Sequence, residues 1–429
     1  MNYRDVVILG AGIAGLSVSH FLCEKGINSI ILEKNNDYGG LCNSFSIDGF
    51  TFDTFAHISF DNDPETYALL EGRTAHRVNK PEALNYCDGI WVRNPVQNNL
   101  VELPVDERIR IIQSFIDRRQ CDEIRNYGEW LDCNFGTYFS HKYPYRYTHK
   151  YWTLEPSKMD YRWISGRMNT LDIEGILRSA MESNEETLHY SKEARYPTNG
   201  GFKAFLKPFA DSCDIIFNAC VKGIDIDNKC VVLTDGRCVG YSKLVSTIPL
   251  TEIIRYLKSV PREIAYAVES LDYTSGAMIS LGFNRPCVSP SLWFYIYDED
   301  IYPARVYSPD WKSPNNVPNG CSAIQAEVYF SKYRPLNLSL DELKELVITQ
   351  LLKLNLFTRE DIVVSDVRYM KYANIIFTPK IYEARQVIHQ FLDGKGIVYA
   401  GRWGEWDYLW VGQSLRSGRN AANKVVESL

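Results

Sequence analysis

Residues 6 to 33 constrain the fold more than any other part of the chain. Val6-Val7-Ile8-Leu9 is a β-branched run suited to a buried parallel strand. Gly10-Ala11-Gly12-Ile13-Ala14-Gly15 follows. A helical pattern then runs through Leu16, His20, Phe21 and Lys25, with Gly26 as its stop. Ser29-Ile30-Ile31-Leu32 reads as a second strand ending at Glu33. A G-x-G-x-x-G alone is a weak signal. Flanked by strand, helix, strand and a terminal acid, it predicts a βαβ dinucleotide-binding unit. The glycines allow a tight turn, let backbone N–H groups reach a pyrophosphate and permit close helix–strand packing. The helix N-terminus adds favourable partial charge for the anion. Glu33 lies 18 residues after Gly15, where a carboxylate takes ribose hydroxyls and repels a 2′-phosphate, so FAD or NAD is expected over NADP. The candidate cofactor contacts here are Gly10, Gly12, Ile13, Ala14, Gly15, Glu33 and Lys34.

Residues 37 to 57 favour FAD over NAD. Asp37-Tyr38-Gly39-Gly40-Leu41-Cys42 follows the second strand directly, and Gly39, Gly40 and Leu41 would let the backbone pass close to a bound cofactor. Phe45 to Asp53 reads as a hairpin around an Asp48-Gly49 turn, and His57 closes the run.

Composition narrows the class. The 429 residues are 45% hydrophobic and 23% charged, ordinary for a globular chain with a large core. Lys plus Arg is 47 and Asp plus Glu 53, for a net charge of −6, so a nucleic-acid partner is not expected. The 11 cysteines include no C-x-x-C, and the 7 histidines do not sit at metal-site spacing to them. The expectation is therefore no metal site and reduced, mostly structural thiols in a cytoplasmic protein. The longest apolar stretch, Val6 to Leu22, is explained by its glycines, and no integral membrane segment is expected.

Further along, residues 105 to 188 read as mostly helical. Asp211 to Pro249 reads as a run of strands with Asp227-Asn228 and Asp235-Gly236 turns. From Ser280 to Phe330, short aromatic strands alternate with Pro/Asn-rich loops. Leu340 to Leu354 is an amphipathic helix, Ile397 to Gly401 a buried strand, and Ser414 to Val426 a closing helix. Arg402 then stands at the carboxyl end of a strand, where doubly wound sheets bind ligands.

Together the N-terminal unit, Gly39-Gly40, Val221 to Pro249 and Gly401-Arg402 resemble the amine-oxidase/protoporphyrinogen-oxidase superfamily. Within it the chain is similar to the UDP-galactopyranose mutase family over nearly its whole length. Trp91 to Asn99 resembles that family's tryptophan-to-asparagine segment, with Gln97 in place of its substrate-lining glutamine. Trp152 and Arg167, and Trp293, Tyr295 and Arg305, keep the spacing of its aromatics and two phosphate-binding arginines. Gly401 to Tyr408 is similar to its G-R-[FL]-G-x-W-x-Y stretch, and Gln413 matches just beyond.

The resemblance implies an α/β architecture. A doubly wound, Rossmann-like FAD-binding domain would come from residues 1–75, 190–275 and 392–429. An inserted helical domain would span 100–189. A mixed or antiparallel β-sheet substrate domain would span 76–99 and 276–391. It implies FAD, needed in its reduced form, with Val221, Gly401, Arg402 and Gln413 as further cofactor contacts. It also implies a UDP- or dTDP-hexose substrate, interconverted between pyranose and furanose forms in the biosynthesis of cell-surface polysaccharide. Gln97, Trp152, Arg167, Trp293, Tyr295, Arg305 and Tyr408 would bind that substrate, and His57, Arg167 and Arg305 would serve the reaction. An external reductant, NAD(P)H or a flavin reductase, would feed the flavin. Arginine suits a diphosphate because its fork bonds phosphate in two places and keeps its charge.

One segment departs from the family. Thr54-Phe55-Ala56-His57 has side chains where the mutases carry two glycines before the histidine, and a loop needing positive φ there would be strained. That departure keeps two other readings open: an FAD-dependent oxidoreductase, and a non-catalytic protein that binds flavin and a sugar nucleotide. Lys158 and Arg195 are charged residues near the matched segments, and solvation on a helix surface explains them equally well.

Overall fold

The computed structural model describes residues 2–164, 166–183 and 193–429. The expected boundary between helical and FAD-binding segments at 189/190 lies outside the described residues. The first strand, Asn2–Leu9, runs parallel between Ser29–Leu32 and Cys238–Ser246. Val6 to Leu9 are at most 1% exposed, because a parallel sheet carries cover on both faces and its centre needs an unbroken apolar run. This seven-stranded sheet gathers Ile215–Ile216, Val221–Asp225, Cys230–Leu233 and Ile397–Tyr399, so it is assembled from three stretches of chain. Helix Ile13–Glu24 and the closing helix, Val411–Ser428, pack together over it.

A second seven-stranded sheet runs in the order Ile362–Ile375, Tyr273–Phe283, Ser322–Phe330, Arg305–Tyr307, Trp293–Ile296, Ala83–Cys87 and Ile90–Arg93. Its pairings are antiparallel except that between Trp293–Ile296 and Ala83–Cys87. The α/β fold is as expected, with a mixed sheet beside the doubly wound one. Two of the strands after residue 270 are longer than the short aromatic runs expected. Ser322–Phe330 is buried at every position, so it has no alternation to read. Ile362–Ile375, interrupted by Asp366, Arg368 and Lys371, offers no continuous apolar run and was not foreseen. Helices Val105–Ile116, Tyr127–Phe135 and Ile173–Met181 lie in the region read as helical.

The expectation of reduced thiols fails for two pairs. Cys121–Cys133 and Cys230–Cys238 are disulfides, with Cα separations of 6.1 and 6.2 Å. The second pair joins neighbouring antiparallel strands, so its proximity comes from hairpin register and leaves no C-x-x-C signature. Of the two readings open for Arg195, the structure excludes the solvated helix surface. Arg195 lies in strand Ala194–Pro197, 5% exposed, and its Nε donates to the fully buried Glu71 at 2.7 Å. Among the described residues, no helix is long and apolar enough to cross a membrane.

Candidate functional site

A cavity of about 680 Å³ opens between the two sheets, within the range of small-molecule and cofactor sites. One end is backbone. Gly10, Gly12, Ile13 and Ala14 line it at the start of the first helix, opposite Gly39, Gly40 and Leu41. A Cβ on Gly15 would come within 2.0 Å of the Gly10 carbonyl oxygen, so this glycine lies behind the cavity wall and lets the helix seat against the strand. Gly39 has φ +108°, with the Asn43 backbone 3.0 Å from where its Cβ would stand. A Cβ on Gly12, by contrast, would meet nothing within 4 Å, which leaves the cavity-lining backbone bare at the helix N-terminus. Glu33 is 5% exposed. Its carboxylate accepts the Ala11 N–H at 2.8 Å and the Asn35 N–H at 2.9 Å, which fixes it against the cavity beside Lys34. Bare backbone N–H groups, a helix end and a fixed carboxylate are the donor set a dinucleotide needs, so this end fits FAD.

The other end is side chains. Tyr151, Arg305, Tyr307, Arg402 and Tyr408 line it, joined by Tyr372 and Asn374 from the unforeseen long strand. Arg305 Nε and Nη2 donate to the Glu327 carboxylate at 3.0 and 3.3 Å, and Glu327 is fully buried. Burial works against the Arg305 charge, but the Glu327 carboxylate together with the surrounding Tyr307, Tyr147 and Tyr151 outweighs it and raises the arginine pKa above its ordinary value. The Arg305 guanidinium lies 4.7 Å from the Tyr307 ring centre and 5.7 Å from that of Tyr151. The Tyr151 and Tyr408 hydroxyls are 3.5 Å apart. Arg167, singled out from the sequence, is not among the lining residues: its guanidinium lies 4.1 Å from the Tyr408 ring and 4.9 Å from that of Trp410, with Nη2 donating to the Tyr408 carbonyl at 2.7 Å. Two guanidinium groups that are 138 residues apart in sequence thus pack on two tyrosines, Tyr151 and Tyr408, whose hydroxyls meet.

His57 also lines the cavity, near Arg402. His57 Nδ1 donates to the Phe55 carbonyl at 2.6 Å, so Nε2 carries the lone pair. Burial, reinforced by the nearby Arg402 and Lys312 charges, pushes its pKa down to about 4, and the imidazole is neutral at pH 7. Arg402 donates through Nε to the Leu409 carbonyl at 2.9 Å and through Nη1 to Asn374 Oδ1 at 3.2 Å. The expected strain in the Phe55-Ala56 loop is absent, since neither residue has positive φ. The Phe55 ring fits because residue 276 is glycine: a Cβ there would lie 2.9 Å from Phe55 Cε2.

Of the residues singled out from the sequence, Gly401 also lines the cavity, together with the glycine loop, Glu33, Lys34, His57, Arg305, Arg402 and Tyr408. Others lie elsewhere. Val221 opens a strand and packs on the core. Gln413 caps the closing helix, accepting the Trp410 N–H at 2.8 Å. Gln97 donates to the Asn169 carbonyl at 3.0 Å. Trp152 and Trp293 are 5% and 3% exposed and pack behind the wall, Trp152 against Tyr151 at 4.5 Å between ring centres. Tyr295 packs on Tyr147, with its ring centre 6.0 Å from the Arg305 guanidinium. Sequence reasoning missed Tyr151, Tyr307, Glu327, Tyr372 and Asn374. For Tyr151 the only available signal was its place beside Trp152.

The comparisons agree with this geometry. A family model described as flavin containing amine oxidoreductase matches residues 13–426. A crystal structure of reduced UDP-galactopyranose mutase superposes with a TM-score of 0.92 at 26% identity, over 99% of this chain and 96% of that one. A putrescine oxidase double mutant gives a TM-score of 0.66 at 15% identity over 99% of each chain, a likeness of fold alone. Two curated proteins match over shorter stretches. Carotenoid 3,4-desaturase of Haloarcula japonica is 43% identical over 53 residues, 12% of this chain and 11% of that protein. All-trans-retinol 13,14-reductase of Danio rerio is 27% identical over 125 residues, 28% of this chain and 19% of that protein. The matched stretches therefore cover only 11% and 19% of those two relatives' own lengths. The cavity takes FAD, and the chain belongs to the flavin containing amine oxidoreductase family.

Proposed function

We propose that this flavoprotein is a nucleotide-sugar mutase that interconverts the pyranose and furanose forms of a UDP- or dTDP-hexose. The observation that carries the reading is a pair of guanidinium groups, Arg305 beside the Tyr151 ring and Arg167 on the Tyr408 ring, with the two tyrosine hydroxyls 3.5 Å apart. A diphosphate leaving group needs cations that stay charged in a site poor in water. Arg305 is held charged by Glu327 and keeps Nη1 for an anion, since Nε and Nη2 face the carboxylate. Arg167 is steadied by the faces of Tyr408 and Trp410, both of which line the cavity, and adds a second positive charge to that end. Tyr151 is pushed well above the ordinary phenol pKa by burial and stays a neutral donor. The neutral His57 offers an acceptor at Nε2. Reduced FAD, when bound, supplies the nucleophile for the anomeric carbon. The whole-chain likeness to reduced UDP-galactopyranose mutase supports the same reading. An external reductant would be required to keep the cofactor reduced.

The test is anaerobic turnover of dithionite-reduced protein with UDP-galactofuranose. UDP-galactopyranose should appear, and no conversion of any UDP- or dTDP-hexofuranose would overturn the proposal. A second reading, an oxidoreductase, is favoured by the matches to a desaturase and a retinol reductase. It predicts substrate-dependent bleaching of oxidised flavin and hydrogen peroxide release, where a mutase gives neither.

A further inference from the structure

Burying an ion pair rarely adds net stability, because desolvating two charges offsets their attraction. Arg195 and Glu71, 5% and 0% exposed, are such a pair, and what else they hold is a wall of the cavity. His57, Ile58, Ser59, Phe60 and Asp61 all line it. Arg195 and Ser59 exchange both backbone hydrogen bonds. The Arg195 N–H donates to the Ser59 carbonyl at 2.9 Å and the Ser59 N–H to the Arg195 carbonyl at 3.0 Å. The guanidinium is engaged in three directions: Nε with Glu71 at 2.7 Å, Nη1 with Glu193 at 2.9 Å, and Nη2 with the Asp61 carbonyl. The Ser59 hydroxyl donates to the other Glu71 oxygen. The Asp61 carboxylate is held separately, by Arg416 of the closing helix at 3.0 Å.

On the other side of His57, the Phe55 ring is seated over Gly276 and the Phe55 carbonyl accepts His57 Nδ1. His57 is thus bracketed, two residues before and two after, by anchors on different parts of the fold. We propose that Arg195, with Glu71 as its counter-ion, is a positioning residue: it holds residues 59–61 against strand Ala194–Pro197 and so fixes the His57 imidazole in the wall of the FAD cavity. The three-way engagement explains why arginine stands here. A lysine would meet Glu71 as a point charge and would not reach the Asp61 carbonyl with a second planar N–H. An apolar pair would fill the volume but leave the Ser59 hydroxyl and the Asp61 carbonyl without these partners. The charges that act on His57 are those of Asp53, Arg402 and Lys312. Arg195 therefore works through the chain between the two residues and not through its own field. The proposal holds whichever substrate the cavity turns over.

Histidine NMR titration of the FAD-loaded full chain tests this, with His57→Gln identifying the signal. The parent His57 should titrate at about 4. Arg195→Met with Glu71→Gln leaves no buried charge unpaired, so flavin should be retained. The His57 midpoint should then rise by about one unit or more toward 6.5 as water reaches the ring. Arg195→Lys should give a smaller rise. Lys150→Met removes another buried cation, one that donates to the Ile296 and Asp298 carbonyls, and should lower the melting temperature while leaving the His57 midpoint where it was. Hydrogen exchange on the parent gives a reading that needs no variant: the Ser59 amide should be as protected as the amides of strand Ala194–Pro197. A fast-exchanging Ser59 amide overturns the proposal, and so does a His57 midpoint unmoved in an Arg195 variant that keeps its flavin. Loss of flavin from both Arg195 variants would make the pair a support of the whole fold and overturns it too.

Discussion

The two ends of the cavity are built on different principles. The cofactor end is made of backbone from two nearby segments, residues 10–14 and 39–41, and its key feature is what is missing: a Cβ at Gly12 and at Gly15. The opposite end is made of side chains from segments scattered between residues 151 and 408, held by hydrogen bonds to other residues, Arg305 by Glu327 and Arg402 by Asn374, with Arg167 packed on Tyr408 just outside the lining. The first end depends on close packing of the fold itself. The second can be taken apart one group at a time. A binding function that can be removed without losing the cofactor belongs to the second.

The largest effect should come from breaking the first end. In Gly15→Val the new Cβ falls 2.0 Å from the Gly10 carbonyl, and neither backbone can move without parting helix from strand. Flavin absorbance per protein should fall to background, and with it all activity. Next is the second end. Arg305→Met should lower turnover by about 10³-fold with flavin retained. It also leaves Glu327 buried without its cation, which should cost about 3–5 kcal/mol of stability. Arg305→Met with Glu327→Gln should recover stability on denaturant unfolding but not activity. Recovery of both would mean that the pair is structural only. Arg167→Ala should raise KM about 10- to 100-fold with less effect on kcat, because Arg167 itself packs just outside the lining. Unchanged steady-state kinetics would remove it from the site.

The smallest effect concerns His57, which also lines the cavity. Its pKa is about 4 in the fold and near 6.5 in the unfolded chain. Below pH 6.5 the unfolded chain therefore takes up a proton that the fold refuses, and stability falls as pH drops from 6.5 to 4. Between pH 7 and 5 the loss from this group should be about 2 kcal/mol. His57→Gln should flatten the pH profile of the melting temperature by that amount. A profile parallel to the parent's would mean that the imidazole is not held neutral.

The contrast between the ends also explains what could be read from the amino-acid chain. The cofactor end was legible because strand, glycine loop, helix and acid follow one another within 33 residues, and each has a local physical signature. Arg167, Arg305 and Tyr408 were found only through family spacing, since nothing local distinguishes them from other polar residues. Glu327 was invisible because its strand is buried at every position and shows no alternation. Tyr372 and Asn374 were missed with a strand whose apolar pattern is broken by charges. Trp152 and Trp293 keep the right spacing, yet their rings pack behind the wall. Spacing preserves order along the chain, while the direction a ring points depends on its neighbours. Phe55 gives the reverse lesson: it seemed too large for its loop, and the room for it comes from Gly276, more than 200 residues away.

The most direct test of the account is calorimetric titration of the FAD-loaded protein with UDP and with uridine. UDP should bind and uridine should not bind measurably, and Arg305→Met should weaken UDP by about 100-fold while its flavin spectrum stays the same. Equal binding of uridine and UDP, or UDP binding indifferent to Arg305, would contradict a cavity whose second end is built to hold a diphosphate.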